Sequence, residues 1–582
     1  MRSQYIDFLK GVAIIAVICF HIGFMKYGYL GVDVFFVLGG YLTSKSIIKS
    51  IELGSFTYWG FLKKRLLRLW PLSLLFVCIS SILGYIWMLP GDYKLLSEQI
   101  VGGSLFFNNI VQFITSSNYW DTSNDFKPLM HLWYLGVLFQ FYIVFPLFFL
   151  ISKFRKDKRA LYKGVGFVLV ISLLFYFVPI STSSVDTAVK FYLFPARLFE
   201  FLAGALVAIK YKYSVYVNKR NVIWILTVFV ISVLTITYEL NINKVKLLFI
   251  VLLVTGVLIM NERQPKVFEN VKCPIITKLG TASFSIYLFH QVLIAFYRYT
   301  VNSTFSLLEF ISLFVGSLLL GLVCYSLLEK PLGRFIKKKQ NERAVFICCL
   351  CFACLLVCFG TEVYFKHGVM RDVPELDVYM EKPETWEPQR YNARITEMFD
   401  KDFVENGKKK IFVWGDSYGR DWVNILIEDH LDSDYNISYH QANDRISVQR
   451  IKDADYVFIA SNLRVETYYN LIPHFMRKRF WHIGHKRYSF CNGKYFNKNK
   501  HSKDYYLQTD IEPDVTKEMN RELQLLFGER NIIDLMGIIR NKDGKIRVFT
   551  PDKKFISNDG MHLTPSGARY YANRLNVREM LK

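Results

Sequence analysis

Long apolar runs fill most of the first 365 residues, and shorter apolar runs separated by polar positions follow them. Stretches such as Val165–Pro179, Val222–Tyr238 and Val345–Phe359 carry almost no charge. A helix needs about 20 mostly apolar residues to cross a bilayer. The pattern therefore predicts a polytopic α-helical membrane domain with about eleven transmembrane helices. They are expected near 6–24, 31–48, 70–88, 130–151, 164–180, 191–209, 221–238, 246–260, 280–299, 305–328 and 344–364.

After residue 365 the pattern is that of a soluble α/β domain. Short apolar runs at 411–414, 456–460, 480–483 and 532–535 have the length of strands, and 516–527 has the period of an amphipathic helix. Strands alternating with helices favour a parallel sheet. We expect a membrane domain over 1–343, an eleventh transmembrane helix over 344–365, a proline-containing linker over 366–410 and an α/β domain over 411–582.

The positive charge is concentrated in the membrane part. Of the net +23, residues 1–364 contribute +19, with 36 Lys or Arg and 17 Asp or Glu. The predicted inner connections hold 26 Lys or Arg and the outer ones six. This asymmetry indicates a cytoplasmic N-terminus, and an odd number of spans then places the C-terminal domain outside the cytoplasm. Because no basic-aromatic face is clustered, nucleic acid is not an expected partner.

Ionisable residues inside predicted spans are candidates for function, because burying them in lipid is costly. They are Lys10, His21, Asp33, Arg197, Glu200 and His290. Lys10 and His21 are eleven residues apart, so they face one side of a helix about 16 Å apart in height. His21 and Asp33 lie at similar distances from the turn between the first two spans, which favours a carboxylate-assisted histidine base. An interhelical polar contact without catalytic function is the alternative.

Arg65 and Arg68 are three residues apart beside further lysines, and such a pair could bind phosphate groups. On composition alone, basic residues at the inner end of a span are more often signals of membrane orientation. The residue pattern leaves both interpretations open.

Several motifs in chain order resemble acyltransferase family 3 (OafA/YrhL type) over about residues 5–335. They are Lys10 with His21, the block Gly31–Gly40, the segment Arg65–Pro71, Arg197 with Glu200, and Tyr287–His290. The resemblance implies a membrane enzyme that transfers an acyl group, usually acetyl, from cytoplasmic acetyl-CoA to a carbohydrate hydroxyl, without a metal.

By this resemblance each polar residue has an expected role. His21 is the catalytic histidine and Lys10 its partner, with Asp33 assisting. Arg65 and Arg68 bind the CoA phosphates, and Arg197, Glu200 and His290 contribute to substrate binding.

The chain departs from the family pattern at two places. Gly39 replaces the usual serine, and Leu138 and Phe139 stand where the family has two carboxylates. An acid role on that span therefore cannot be transferred to this chain, and His131 nearby stays unassigned.

The outer domain carries a second set of reactive residues. Gly415-Asp416-Ser417 follows an apolar strand and opens a helix, a turn that exposes a serine at the positive end of the helix. Asp559 and His562 precede the C-terminal helix. Together they supply a nucleophile, a base and a residue that orients the base. The pair of motifs resembles the SGNH/GDSL hydrolase family, which implies a flavodoxin-like sheet, with Asn462 as the candidate oxyanion donor.

The combined expectation is a multi-pass enzyme of a bacterial plasma membrane that O-acylates a cell-surface or envelope polysaccharide, such as O-antigen, capsule or peptidoglycan. Its partners would be the bilayer, the polysaccharide and acetyl-CoA. Two alternatives stay open: a membrane-anchored glycan esterase, and a non-enzymatic glycan-binding or transport scaffold.

Overall fold

The computed structural model describes residues 4–115, 124–180, 183–209, 243–263, 273–387, 389–461, 480–489, 491–498, 502–528 and 531–581. The chain forms two compact units. The first consists of Met1–Ile86, Asp92–Arg298 and Thr304–Phe365. The second consists of Lys366–Lys582 together with the short segments Trp87–Gly91 and Tyr299–Ser303.

The first unit is helical. Its helices are α1 (Gln4–His21), α2 (Gly31–Glu52), α3 (Tyr58–Trp87), α4 (Pro90–Ser104), α5 (Asn108–Thr115), α6 (Trp133–Val144), α7 (Ser152–Lys156), α8 (Lys158–Phe177), α9 (Ser183–Tyr192), α10 (Phe194–Ile209), α11 (Asn243–Arg263), α12 (Pro274–Thr281), α13 (Ser283–Thr300), α14 (Leu307–Cys324), α15 (Lys330–Ile336) and α16 (Lys339–Phe365). Short 3₁₀ and π turns extend several of them.

Eight helical segments among the described residues are long and apolar enough to cross a membrane, and the bent pair α12 and α13 makes nine if it is one span. The two members of that pair meet at 76°. This confirms a polytopic membrane domain. The predicted span 246–260 lies within α11, which is not among the eight. The predicted span 221–238 lies outside the described residues.

The second unit is built on a parallel sheet. Its strands are β1 (Lys410–Gly415), β2 (Asn436–His440), β3 (Tyr456–Ala460), β4 (Phe480–Ile483), β5 (Thr509–Ile511), β6 (Ile532–Ile533) and β7 (Lys545–Arg547). Its helices are α17 (Arg390–Phe399), α18 (Ser417–Glu428), α19 (Arg445–Asp453), α20 (Asn492–Asn497), α21 (Asp514–Phe527), α22 (Leu535–Ile539), α23 (Pro565–Leu575) and α24 (Val577–Met580). This confirms the predicted α/β class.

The main sheet has five parallel strands in the order β2-β1-β3-β4-β6, and β5 and β7 form a separate antiparallel pair. Counting only the five sheet strands along the chain, this is the 2-1-3-4-5 order of flavodoxin-like folds. In such sheets the strand order reverses between β1 and β3, and ligands bind beyond the carboxyl ends of the strands at that point. Gly415 ends β1 there, two residues before Ser417.

Burial explains why β1 has a continuous apolar sequence. Ile411, Phe412 and Val413 are all fully buried. Helices cover both faces of a parallel sheet, so alternation of polar and apolar residues is lost in its central strands. On one face Ile411 and Val413 pack with Trp422 of α18, and on the other Phe412 packs with Leu523 of α21. The sheet is therefore a rigid platform for the turn that carries Ser417.

Candidate active sites

The turn after β1 holds Ser417 at the start of α18. Asp416 is the N-cap of this helix, and its side chain accepts a hydrogen bond from the Tyr418 N–H at 2.9 Å. Gly415 is required at the end of the strand, because a Cβ there would lie 1.8 Å from the Ala460 carbonyl oxygen on β3. The serine side chain is thereby fixed at the carboxyl edge of the sheet.

His562 and Asp559 reach the same edge from the loop that precedes α23. The Nε2 atom of His562 lies 2.9 Å from the Oγ of Ser417, and its Nδ1 lies 2.6 Å from Oδ2 of Asp559. The other oxygen of Asp559 accepts hydrogen bonds from the Met561 and His562 N–H groups, each at 2.9 Å. The loop can turn this sharply because Gly560 has φ +87° and packs against Ser489, where a side chain would clash.

The electrostatics of this arrangement suit nucleophilic catalysis. Partial burial works to raise the pKa of Asp559, but its pairing with His562 and the two backbone N–H groups outweighs this and holds that pKa below the ordinary value. An ionised Asp559 fixes the His562 tautomer with hydrogen on Nδ1, so that Nε2 can accept the Ser417 proton. The three side chains form an uninterrupted hydrogen-bonded chain from carboxylate to hydroxyl.

The candidate oxyanion donor Asn462 lies outside the described residues. The residue before it, Ser461, follows β3 and donates a hydrogen bond to Oδ2 of Asp416 at 3.1 Å. Ser461 and Asp416 thus tie the ends of β3 and β1 together beside Ser417.

In the helical unit, His21 ends α1 and is buried. Its ring lies 5.2 Å from that of His290 on α13, and His290 lies 5.6 Å from His131, both measured between centroids. The Nδ1 of His290 is 2.7 Å from the Tyr287 carbonyl oxygen. The structure therefore brings together the predicted residues His21 and His290. It adds His131, whose polar character among apolar neighbours was the available sequence signal.

Asp33, Arg197 and Glu200 form a separate buried cluster. Arg197 Nη1 donates to Asp33 Oδ1 at 2.9 Å and to Glu200 Oε1 at 3.0 Å. All three side chains are at most 3% exposed. Among the described residues no hydrogen bond joins Asp33 to His21, the contact that the spacing suggested. The cluster instead links α2 to α10.

A cavity of about 1080 Å³ opens between helix ends of the same unit. Lys10 and Arg68 both line it, whereas Arg65 stacks on the rings of Phe61 and Tyr142, 5.0 and 5.3 Å from their centroids. Seven cationic side chains line the cavity: Lys10, Lys45, Lys64, Arg68, Lys330, Arg334 and Lys337. Three carboxylates, Asp7, Glu329 and Glu342, do so as well. The excess of positive charge suits a polyanionic ligand.

The Nζ of Lys10 also lies 3.9 Å from Oδ1 of Asp7, which is one turn earlier on α1. Among the described residues no group of three or more His, Cys, Asp or Glu side chains is arranged to hold a metal ion.

Residues 3–326 match the family model described as Acyltransferase domain. The chain belongs to acyltransferase family 3. This confirms the family resemblance seen in the helical unit. The match to that family covers more than half of the chain and includes every candidate residue of the helical unit.

Curated relatives are similar over part of their length. Peptidoglycan O-acetyltransferase OatA of Listeria monocytogenes is 26% identical over 308 residues, which cover 50% of this chain and 49% of OatA. The putative peptidoglycan O-acetyltransferase YrhL of Bacillus subtilis is 28% identical over 315 residues, which cover 50% of this chain and 48% of YrhL. A putative O-acetyltransferase of Staphylococcus aureus MRSA252 is 26% identical over 370 residues, covering 59% of each chain. This family 3 chain thus spans about half to three-fifths of these relatives. No solved structure matches it.

Proposed function

We propose that this protein transfers an acyl group, most simply acetyl, from cytoplasmic acetyl-CoA across the membrane to hydroxyl groups of a cell-envelope polysaccharide. Membership of acyltransferase family 3 supports acyl transfer, and the names of the relatives suggest a glycan acceptor. The observation that carries the proposal is the hydrogen-bonded chain Asp559–His562–Ser417 in a second unit of the same polypeptide.

The cationic cavity is the proposed donor site. It combines Lys10 with Arg68, two residues expected at the cytoplasmic ends of their helices, and its seven cations suit the phosphates of CoA. Because Arg68 lines the cavity and Arg65 does not, we assign the contact with these phosphates to Arg68. Lys10 and His21 share α1, so this helix would connect the donor cavity to the buried histidines.

The buried histidines are the proposed site of thioester cleavage. His21 acts as the base, with His290 and His131 beside it, and takes the proton of a carrier hydroxyl whose oxygen bonds to the acetyl carbonyl carbon. The C–S bond breaks, and the thiolate of CoA leaves and takes up that proton. The Asp33–Arg197–Glu200 cluster supports this site indirectly, by fixing α2 against α10. A desolvated, hydrogen-bonded ion cluster holds a fixed geometry because any displacement would leave a buried charge unpaired.

The outer unit is the proposed acceptor site. Ser417 Oγ attacks the carbonyl carbon of the acetyl ester that the membrane unit delivers, and its proton passes to Nε2 of His562. The bond from that carbon to the carrier oxygen then breaks, and the carrier hydroxyl leaves with the proton from His562. The resulting ester is then attacked by a sugar hydroxyl. This hydroxyl loses its proton to His562, and Oγ leaves as the restored Ser417 hydroxyl. The predicted outer location of this unit would give the serine access to envelope polysaccharide.

The O-acetyl content of envelope polysaccharide, measured by NMR in cells carrying His21→Ala or Ser417→Ala, tests the proposal. Loss of O-acetyl groups in both variants supports transfer. A rise with Ser417→Ala would indicate that the outer unit is an esterase. No change in either variant would contradict both enzymatic functions.

A further inference from the structure

A buried ion pair lies behind the Ser417 site and belongs to neither the nucleophile nor its base. The Nζ of Lys486, which follows β4, is 2.5 Å from Oδ2 of Asp421 on α18. Both side chains are 0% exposed. Removing two charges from water is energetically costly, and the attraction between the two charges alone seldom offsets that cost. The function of this pair therefore depends on the other groups that it binds, and not on a contribution of the pair itself to the stability of the fold.

Those partners lie on both sides of His562. Lys486 Nζ donates to the Met561 carbonyl oxygen at 2.5 Å, and the Leu563 N–H donates to Oδ2 of Asp421 at 3.1 Å. Met561 and Leu563 are the immediate chain neighbours of the histidine. The pair thus binds the backbone before and after His562, which leaves the loop little freedom to move along or away from α18.

The same pair is tied to the nucleophile. Asp421 lies one helical turn after Ser417 on α18, and its Oδ1 accepts a hydrogen bond from Nδ2 of Asn392 at 2.6 Å. Asn392 Nδ2 also contacts the Ser417 carbonyl oxygen at 2.8 Å. On the other side, Lys486 Nζ lies 4.1 Å from the centroid of the Tyr418 ring, next to Ser417.

We propose that the buried Lys486–Asp421 pair is a positioning device that sets the distance between His562 and Ser417. The inference rests on the proposed function of Ser417 as a nucleophile. Neither residue touches the reacting atoms, so both act through the loop and the helix that they join. Loss of the pair leaves the Met561 carbonyl and the Leu563 N–H without these partners, and the loop shifts to satisfy them. A displacement of about 1 Å in a catalytic group lowers a rate about 100-fold.

The test measures how fast a fluorophosphonate reacts with Ser417 in the full-length protein in detergent, separating the limiting rate kinact from the binding constant KI. Lys486→Met is expected to lower kinact about 100-fold with KI unchanged. The double variant Lys486→Met with Asp421→Leu removes both charges and guards against misfolding. Its melting temperature is expected to lie near that of the unmodified protein, whereas its kinact should be as low as that of the single variant.

Arg540→Met is the matched control, because Arg540 pairs with the buried Glu512 at 2.8 Å elsewhere in the same unit. This variant should keep kinact within about twofold. A double variant that reacts at the unmodified rate would overturn the positioning role while leaving the proposed function intact. An unmodified protein whose Ser417 does not react would overturn the proposed function and this inference with it.

Discussion

His562 Nε2 and Ser417 Oγ lie 2.9 Å apart although 145 residues separate them along the chain. Two different local structures create this contact: a strand-to-helix turn that fixes the serine, and a glycine-containing loop that carries the histidine. Asp559 completes the arrangement at 2.6 Å from Nδ1. Among the described residues of the α/β unit, the serine, histidine and aspartate therefore already lie within hydrogen-bonding distance of one another.

Asp559→Asn is expected to slow the reaction of Ser417 with a fluorophosphonate by roughly 10²- to 10⁴-fold. The amide cannot hold His562 in the tautomer that accepts the serine proton. The reaction is followed by labelling of the full-length protein over time. Asp552→Asn, which changes an exposed carboxylate in the preceding loop, is the control and should react normally. Equal labelling of the Asp559 variant would show that Asp559 does not orient His562.

The α/β unit should lose stability as the pH falls from about 6.5 towards 4. Burial lowers the pKa of His482 to about 3 and that of His485 to about 4, whereas an unfolded histidine titrates near 6.5. The unfolded chain therefore binds protons first, so the stabilisation is complete above pH 6.5 and is lost below it. At pH 5 each histidine is expected to lower the free energy of unfolding by about 2 kcal/mol relative to its value at high pH.

Cys491 provides the measurement, because it is buried and is the one cysteine of the sequence beyond residue 365. Its rate of thiol labelling under mild denaturation should rise as the pH is lowered, after correction for the thiolate fraction of an unfolded control peptide. The His485→Gln variant should show a weaker pH dependence of this labelling rate. The rates of both proteins are expressed relative to their own values at pH 8. A dependence unchanged in the variant would exclude His485 as its source.

Arg68→Gln is expected to weaken CoA binding about tenfold, since it removes one charge-assisted contact to a phosphate. Arg65→Gln should weaken binding less, because Arg65 stacks on Phe61 and Tyr142 instead of lining the cavity. Titration calorimetry with the solubilised protein measures both. Lys158→Gln, at an exposed ion pair with Glu52, is the control and should bind normally. A larger effect at Arg65 than at Arg68 would contradict the cavity as the donor site.

Arg197→Met should destabilise the helical unit by about 3–5 kcal/mol, because it leaves Asp33 and Glu200 buried without their cation. The variant is expected to aggregate at lower temperature in detergent. Replacing Arg197, Asp33 and Glu200 together by Met, Leu and Leu should recover most of that stability. A single variant as stable as the unmodified protein would show that the cluster does not hold α2 and α10 together.

The sequence predicted the features that depend on local pattern. Apolar periodicity located the long helices and four strands of the sheet. It did not predict β2, Asn436–His440, because Asn436, Ser438 and His440 interrupt its apolar pattern. The serine, histidine and aspartate of the α/β unit were all indicated by their turns, since strand-to-helix and loop-to-helix junctions have recognisable residues.

Contacts between distant helices could not be predicted in the same way. Helical spacing gives the depth of Asp33 along α2, but it does not tell which helix packs beside that residue. The structure pairs Asp33 with Arg197, and His21 with His290. Likewise, Arg65 and Arg68 look equivalent in sequence, and only the packing of Phe61 and Tyr142 separates them. The Lys486–Asp421 pair had no sequence signal, because two surface-type residues 65 positions apart become neighbours only in the folded sheet.

In the proposed function, one polypeptide passes an acetyl group from CoA to Ser417. This transfer is tested by incubating the membrane-embedded, full-length protein with isotopically labelled acetyl-CoA and identifying the acetylated peptides by mass spectrometry. We expect a labelled acetyl ester on Ser417 when the polysaccharide acceptor is omitted and the reaction is stopped with acid, and we expect this label to be lost in the His21→Ala variant. Labelled acetyl on Ser417 that persists in the His21→Ala variant would contradict this transfer. So would the absence of label on Ser417 while polysaccharide is still acetylated.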